Sequence, residues 1–446
     1  MIKRLSIVAF FTGTAYIFTI FSLKYLSATT SAFSLKSIGE IDSLVNFIVS
    51  VVAAGMLLSA VRNIAISADW KKEFLNAQRA RFTLGLIIAL FGFLSFTNIN
   101  YILFFFAPLV ALNGDYALYG RSKPVTASIL AFIKISFPYL VVVFTLWFKP
   151  EWLLFSFIAS TTLVYLVTGF FISRKLGTPY LIMPSWKSLN IYVHSLSMGV
   201  VSFSYYFIGL GLIWLAAFFY EDVAIAAAFL GIKLYTIFKG VLRMLNQSFF
   251  REMTDEAVRL KVDYLAMFAG TIFLAATVLF QEAFISVFFN KGSVLQSTSL
   301  VLLGCTGFLI APFISLHTSV LLERKDRLFS RLSLLGIVVA ASACMISSFI
   351  FNGADSILFS LLLGEFVIVA GLITICNKKN LFLPRLAFFR RNLPLLVIPI
   401  GSRILFGDNT YSFIGSLCVY GVLFLTTNWK SFILHKQEKE MRLYES

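Results

Sequence analysis

The sequence predicts an all-α polytopic membrane protein with 12–14 transmembrane helices, and three observations carry that prediction. Of 446 residues, 59% are hydrophobic and only 13% charged. The apolar residues come in long unbroken runs, not in the ten-residue alternating strands of a membrane β-barrel. A helix needs roughly 20 apolar residues to cross about 30 Å of hydrocarbon, and the chain has material for fourteen such helices with no stretch left for a soluble domain.

Apolar runs bounded by charge place the spans at 5–23, 41–61, 82–97, 101–119, 125–147, 153–173, 195–219, 223–242, 264–289, 298–320, 332–351, 357–376, 393–406 and 412–428. The first lies between Lys3-Arg4 and Lys24, and the second between Glu40 and Arg62. Lys71, Lys72, Arg79 and Arg81 precede the third, and Arg121 and Lys123 close the fourth, which holds Pro108. The fifth ends at Lys149 and the sixth at Arg174-Lys175. Lys187 precedes the seventh, while Glu221-Asp222 and Arg243 bound the eighth. Arg259 and Lys261 introduce the ninth, which ends before Lys291. The tenth contains Pro312 and stops before Arg324 and Lys325. Arg327 and Arg331 precede the eleventh, and Lys378-Lys379 follow the twelfth. The thirteenth, after Arg385, Arg390 and Arg391, holds Pro394, Pro399 and Arg403, and Lys430 follows the fourteenth. Trp147, Trp152 and Trp429 fall at span edges, as an interfacial aromatic belt requires.

An even count puts both ends on one side, and the loops on that side carry most of the 37 basic residues. Loops on the other side have only Lys24, Lys36, Lys149 and Lys291. The positive-inside rule therefore makes both termini cytoplasmic. It also accounts for most of the net charge of +16 without any nucleic acid. The first span is too long for a cleaved signal and reads as a signal-anchor. Cys305, Cys344, Cys376 and Cys418 all lie in spans and read as small buried hydrophobes, so neither a disulfide framework nor a metal site is expected.

Topology leaves Lys134, Lys233, Lys239 and Arg403 inside spans. A cation at mid-depth costs roughly 3 kcal/mol on insertion scales, so Lys134 and Lys233 each require a polar cavity or a carboxylate. Substrate binding and structural pairing are both open for these two. Lys239, four residues before Arg243, is expected to snorkel to the cytoplasmic surface or to line an inner vestibule. Arg403 reads as an anchor or a paired group. Asp115 and Glu365 are the clearest buried carboxylates, available either to carry coupling protons or to pair with the stray cations. His317, alone at a helix end, reads as packing. Thr12, Tyr16 and Thr19 share one face of the first span, and Ser195, Ser202, Tyr206 and Gly209 one face of the seventh. Such stripes serve either as cavity walls or as close helix contacts.

An internal repeat organises the spans. The same 22-residue interval separates Glu40 from Arg62 and Glu221 from Arg243, each pair bracketing a span and followed by a long basic connection. Two six-helix bundles follow, residues 1–185 and 186–377, with an extra transmembrane hairpin and tail at 378–446 and a central cavity between the bundles.

Two bundles of six helices, Gly39-Glu40 entering the second span, Arg62 at its exit, and the stretch Asn113-Gly114-Asp115-Tyr116-Ala117-Leu118-Tyr119-Gly120-Arg121-Ser122-Lys123-Pro124 together resemble the polysaccharide-transporter branch of the multidrug/oligosaccharidyl-lipid/polysaccharide exporter superfamily. The chain looks most like the O-antigen flippases of that branch. The resemblance implies translocation of undecaprenyl-pyrophosphate-linked oligosaccharide across the bacterial inner membrane, with a polysaccharide polymerase and chain-length proteins as partners. Helices one, two, seven and eight line the cavity in this superfamily. The resemblance therefore points to Lys24, Arg62 and Lys233 as pyrophosphate contacts, although members often carry Arg where this chain has Lys at 24 and 233. Peptidoglycan-precursor flippases of the superfamily have fourteen spans, and multidrug antiporters share the fold, so both stay open as alternatives.

Enzyme classes fit poorly. The longest outer connection is about seventeen residues with no paired Asp motif, and no GxxxxGK[ST] nucleotide signature is present. No cofactor is expected.

Overall fold

The computed structural model describes residues 2–56, 60, 63–64, 67–94, 99–121, 123–248, 253, 255–289, 295–323, 325–350, 353–376 and 382–433. Among them helices are the regular secondary structure, joined by short connections, with no strand. The N-terminal half comprises α1 (Ile2–Thr29), α2 (Ala32–Ala53), α3 (Trp70–Leu94), a tight 3-10 run (Ile99–Phe106) leading into α4 (Ala107–Leu112) and α5 (Asp115–Gly120), then α6 (Pro124–Phe148) and α7 (Leu153–Leu176). The C-terminal half has α8 (Asn190–Tyr206), which runs through a wide turn at Phe207–Gly211 into α9 (Leu212–Ala216), then α10 (Asp222–Ser248), α11 (Glu256–Leu279) and α12 (Gln281–Phe288). It continues with α13 (Ser297–Ile310), which passes by a 3-10 turn at Ala311–Phe313 into α14 (Ile314–Leu322), then α15 (Asp326–Ser348) and α16 (Ala354–Cys376). The chain ends in α17 (Phe382–Asn392), α18 (Val397–Phe406) and α19 (Thr410–Ile433).

Among the described residues nine helices are long and apolar enough to cross a membrane. The chain is thus a multi-pass α-helical membrane protein. The two halves repeat one packing scheme: α1 packs on α6 as α8 packs on α15, α3 on α4 as α11 on α13, and α6 on α7 as α15 on α16. Across the interface α2 meets α8 and α10, while α1 meets α10 and α12. At the centre lies α10, whose residues Ala224–Ile232 are all buried, with the space beside Gly231 filled by Leu303. Its alanines let neighbouring backbones approach closely, which is how apolar helices gain packing where no hydrophobic drive separates protein from lipid.

The boundaries shift where polar residues find partners. The second span was expected at 41–61, yet α2 starts at Ala32, capped by Ser31, whose hydroxyl accepts from the Ser34 amide. Lys36, Glu40 and Asp42 therefore lie inside the helix, and those charges keep α2 out of the nine. The third span was expected at 82–97, and α3 begins at Trp70. Arg81, expected in a cytoplasmic loop, is buried on α3, where it donates to the carbonyls of Asn113 (3.0 Å) and Val110 (3.2 Å). Those carbonyls are freed because the fourth span breaks between α4 and α5 at Asn113-Gly114. Gly114 fits there because a Cβ would lie 2.7 Å from the Phe74 ring.

Arg385 is a second such case. Expected in a loop, it is buried on α17, pairs with Asp263 of α11, and donates through Nε to the Pro312 carbonyl at 2.7 Å. Pro312 sits at the break between α13 and α14, so an arginine meets the fourth helix break of each half. Two of the four cysteines, Cys305 and Cys418, are exposed, contrary to expectation, while Cys344 and Cys376 are buried. Outward-facing Cys on a lipid-bathed helix costs nothing, because lipid is as apolar as a core. Trp147 and Trp152 are exposed at span ends, and the Trp429 side chain lies outside the described residues.

Candidate functional site

The site begins with a glycine. A Cβ on Gly39 of α2 would lie 2.8 Å from the Phe229 ring of α10, so only glycine lets the two helices approach this closely. About one turn deeper, that approach brings Asp42 against Lys233, with Nζ 2.5 Å from Oδ2. Both are buried, at 9% exposure for Lys233 and 7% for Asp42. The Tyr139 ring of α6 lies 5.1 Å from the ammonium and adds a cation–π contact. Asn46 also approaches Asp42, donating to its carbonyl at 2.7 Å. Beside the pair, Ser43 donates to the Leu210 carbonyl at 2.6 Å and meets the Tyr206 hydroxyl at 3.1 Å. Leu210 lies in the wide turn of 207–211, whose irregular backbone frees that carbonyl. The pair and the Ser43 contacts all span the two halves.

The other intramembrane cations are paired within a single half. Lys134 of α6 pairs with Asp115 at the start of α5, with the Tyr165 ring 5.5 Å away. Lys239 does not snorkel. It is 8% exposed and pairs with Glu365 of α16, flanked by the rings of Tyr205 (5.2 Å) and Tyr235 (5.6 Å). A counter-charge in the plane of the bundle is nearer than the membrane surface, and it removes the cost of a bare ammonium. Arg243, one turn further, is exposed and lies 5.1 Å over the opposite partner of that aromatic pair, Tyr205. His317 packs beside Tyr205 and Phe329. Arg403 lies 3.8 Å from Asp408.

Lys24 also bridges the halves, donating to the carbonyls of Ser286 (2.6 Å) and Val287 (3.2 Å) at the end of α12. A cation there is favoured by the exposed carbonyls and the helix dipole. Lys36 joins α2 to α10 through Asp222 at 2.7 Å. Arg62 lies outside the described residues.

Near the other end of α2 the halves meet by backbone. Gly55 has φ +78°, a left-handed conformation, and a Cβ on it would lie 2.7 Å from the Gly199 amide and the Ser195 carbonyl of α8. The Tyr192 hydroxyl donates to the Val52 carbonyl at 2.7 Å. On α10, Gly240 admits the Tyr16 hydroxyl of α1 against its backbone. Thus the hydroxyl stripes of the first and seventh spans serve, at Tyr16, Ser195 and Tyr206, in contacts between halves. Thr19 instead bonds back to the Ala15 carbonyl, and the Thr12 side chain lies outside the described residues.

Sequence reasoning missed Asp42, Arg81, Arg243 and Arg385. Asp42 lies at the very start of the span expected from residue 41, and its burial depends on Lys233, 191 residues away.

No family model matches the chain, and no curated protein matches it. Solved structures share its fold. A lipid II flippase, MurJ, in an inward closed conformation aligns at TM-score 0.62 with 13% identity, covering 95% of this chain and 98% of that one. An inward-facing multidrug resistance MATE family transporter of the MOP superfamily aligns at 0.57 with 16% identity, covering 84% and 96%. A MOP superfamily transporter from Pyrococcus furiosus, described as having a binding pocket of reverse polarity, aligns at 0.50 with 14% identity, covering 85% and 96%. The architecture is therefore the fold of these transporters.

Proposed function

We propose that this protein is a flippase that moves an undecaprenyl-pyrophosphate-linked oligosaccharide, the O-antigen repeat unit, from the inner to the outer leaflet of the bacterial inner membrane by alternating access. The observation that carries this reading is the Lys233–Asp42 pair, a buried ion pair made across the interface between halves. In the proposed cycle residues 1–185 and 186–377 rock against each other, residues 378–446 move with the second unit, and both termini face the cytoplasm. While α2 and α10 are together, Asp42 neutralises Lys233. When they part at the inner end, the ammonium is freed in a low-dielectric site and takes the pyrophosphate in place of the carboxylate. Lys24, Arg62 and the exposed Arg243 supply further positive charge along the route. With the cell interior negative, each negative charge carried outward gains about 2.3 kcal/mol per 100 mV if it crosses the full potential.

Lys134 and Lys239, each held by a carboxylate of its own half, have a structural part in this scheme, and Asp115 and Glu365 act as their counter-charges. The test replaces Lys233 by Ala and by Arg and follows surface polysaccharide, protein abundance and translocation in proteoliposomes. Loss of a buried charge-assisted contact worth roughly 2 kcal/mol or more predicts at least a thirty-fold fall in transport per unit of inserted protein for Ala, with partial activity for Arg. Full activity of the Ala variant would remove Lys233 from the mechanism.

A second reading, flipping of a peptidoglycan precursor, is favoured by the extent of the fit to the lipid II flippase, which covers 95% of this chain. Supplying lipid II or the polyprenyl-linked oligosaccharide to the same proteoliposomes separates the two. The multidrug reading is less favoured, because the inter-half site presents a lysine to an incoming ligand once Asp42 withdraws, a charge suited to anions and not to cationic drugs.

A further inference from the structure

A groove of about 500 Å³ runs along the outer face of the α6–α7 hairpin, away from the interface between halves. It arises from helical spacing. Phe137, Val141, Phe144 and Phe148 line one wall from α6 at intervals of three or four residues, while Phe155 and Leu163, about two turns apart, line the other from α7. The floor is formed by Ala159 and its small neighbours, so the aromatic walls stand above it. The mouth lies at the turn between the helices, where Lys149 is 5.9 Å from the centroid of the Trp152 ring. From Phe148 to Phe137 the helix rises roughly 17 Å at 1.5 Å per residue, close to the depth of one leaflet, about 15 Å.

We propose that this groove is a binding site for an anionic phospholipid of one leaflet, with one acyl chain between the phenylalanines and the phosphate on Lys149. Two features select this occupant over bulk lipid and over the polyprenyl tail. The groove ends near mid-membrane, matching an acyl chain, whereas a polyprenyl chain several times longer would overrun it. Its single cation sits at headgroup level beside a tryptophan, the pairing that suits a phosphate at the water interface. Glu151, in the same turn, does not line the groove. Such a site would hold the α6–α7 edge of the N-terminal half in register with one leaflet.

The protein purified in mild detergent is incubated with phosphatidylglycerol or phosphatidylcholine, and retained lipid is measured by native mass spectrometry. A phosphatidylglycerol carrying a diazirine in mid-chain locates the contact. Wild type is expected to retain phosphatidylglycerol about fivefold better than phosphatidylcholine, the factor for one lysine at an anionic surface, and to be labelled on α6 and α7. Ala159→Trp, which fills an exposed floor position without entering the core, is expected to abolish retention and labelling. Lys149→Glu is expected to abolish only the preference for phosphatidylglycerol. Equal retention by wild type and Ala159→Trp, labelling elsewhere, or displacement of phosphatidylglycerol by equimolar undecaprenyl phosphate would overturn the proposal. None of these measurements involves transport, so their failure and that of the flippase reading are separate results.

Discussion

One helix, α10, carries two buried lysines six residues apart, and each has found a carboxylate. The chemistry is the same, but the connectivity differs. Lys239 pairs with Glu365 inside its own half, with aromatic rings on both sides, so a rigid-body motion of the halves leaves this pair intact. Lys233 reaches across to Asp42 on α2, so any motion that separates the halves must break it. A buried pair adds little net stability, yet removing one partner is costly because it leaves a bare charge. In the proposed cycle the two sites therefore differ: the first stays closed within its half, and the second presents a cation only when the halves part.

The largest expected effect tests that division. Glu365→Ala alone should lower stability by about 3–5 kcal/mol, because it strands Lys239 in the bundle. Combining Lys239→Met with Glu365→Leu should restore abundance and keep transport. The equivalent double replacement, Lys233→Met with Asp42→Leu, should also keep abundance but lose transport. Recovery of transport by both double variants would erase the distinction between the two pairs.

A second, intermediate effect concerns the glycine contacts that must part with the Lys233 pair. Gly55→Ala meets both a left-handed backbone and the α8 backbone, so the end of α2 near Gly55 cannot close. Gly240→Ala displaces Tyr16, and adding Tyr16→Ala should relieve it. Reaction of a Thr236→Cys reporter, exposed within α10, with a membrane-impermeant maleimide is expected to rise several-fold in either glycine variant and to return toward wild type in the Gly240 double. Unchanged labelling would place the moving contacts elsewhere.

The smallest effect is expected at Lys36, which also joins α2 to α10 but is half-exposed with Asp222. Lys36→Ala should change thermal stability by less than about 1 kcal/mol, since solvent screens such a pair. A larger loss would mean that the pairs between halves are ranked by position along α2 and not by burial.

Much of the fold was legible in the sequence because apolar runs are a local property. The spans at 125–147, 153–173 and 357–376 lie within α6, α7 and α16 to within a few residues. Errors collected where polar residues are satisfied by distant partners. Hydropathy alone made Lys36, Glu40 and Asp42 a loop-to-helix entry, and Arg81 and Arg385 cytoplasmic anchors. In the structure Lys36 pairs with Glu40 and Asp222, while Lys233, the Asn113 carbonyl and Asp263 offset the burial of Asp42, Arg81 and Arg385. Of the candidate site, the anomalous lysines at 134, 233 and 239 could be picked out, because a charge within an apolar run is visible without any structure.

By itself, then, the sequence determined that this chain is a helical membrane protein, which cations insertion fails to explain, and that each of them needs a partner. Only the tertiary structure decided the partners: Asp115 for Lys134, Glu365 for Lys239, and Asp42 of the other half for Lys233. Helical periodicity fixes the face a residue occupies within its own helix. Which helix meets that face depends on packing between segments far apart in the chain, here on the close approach that Gly39 permits between α2 and Phe229 of α10.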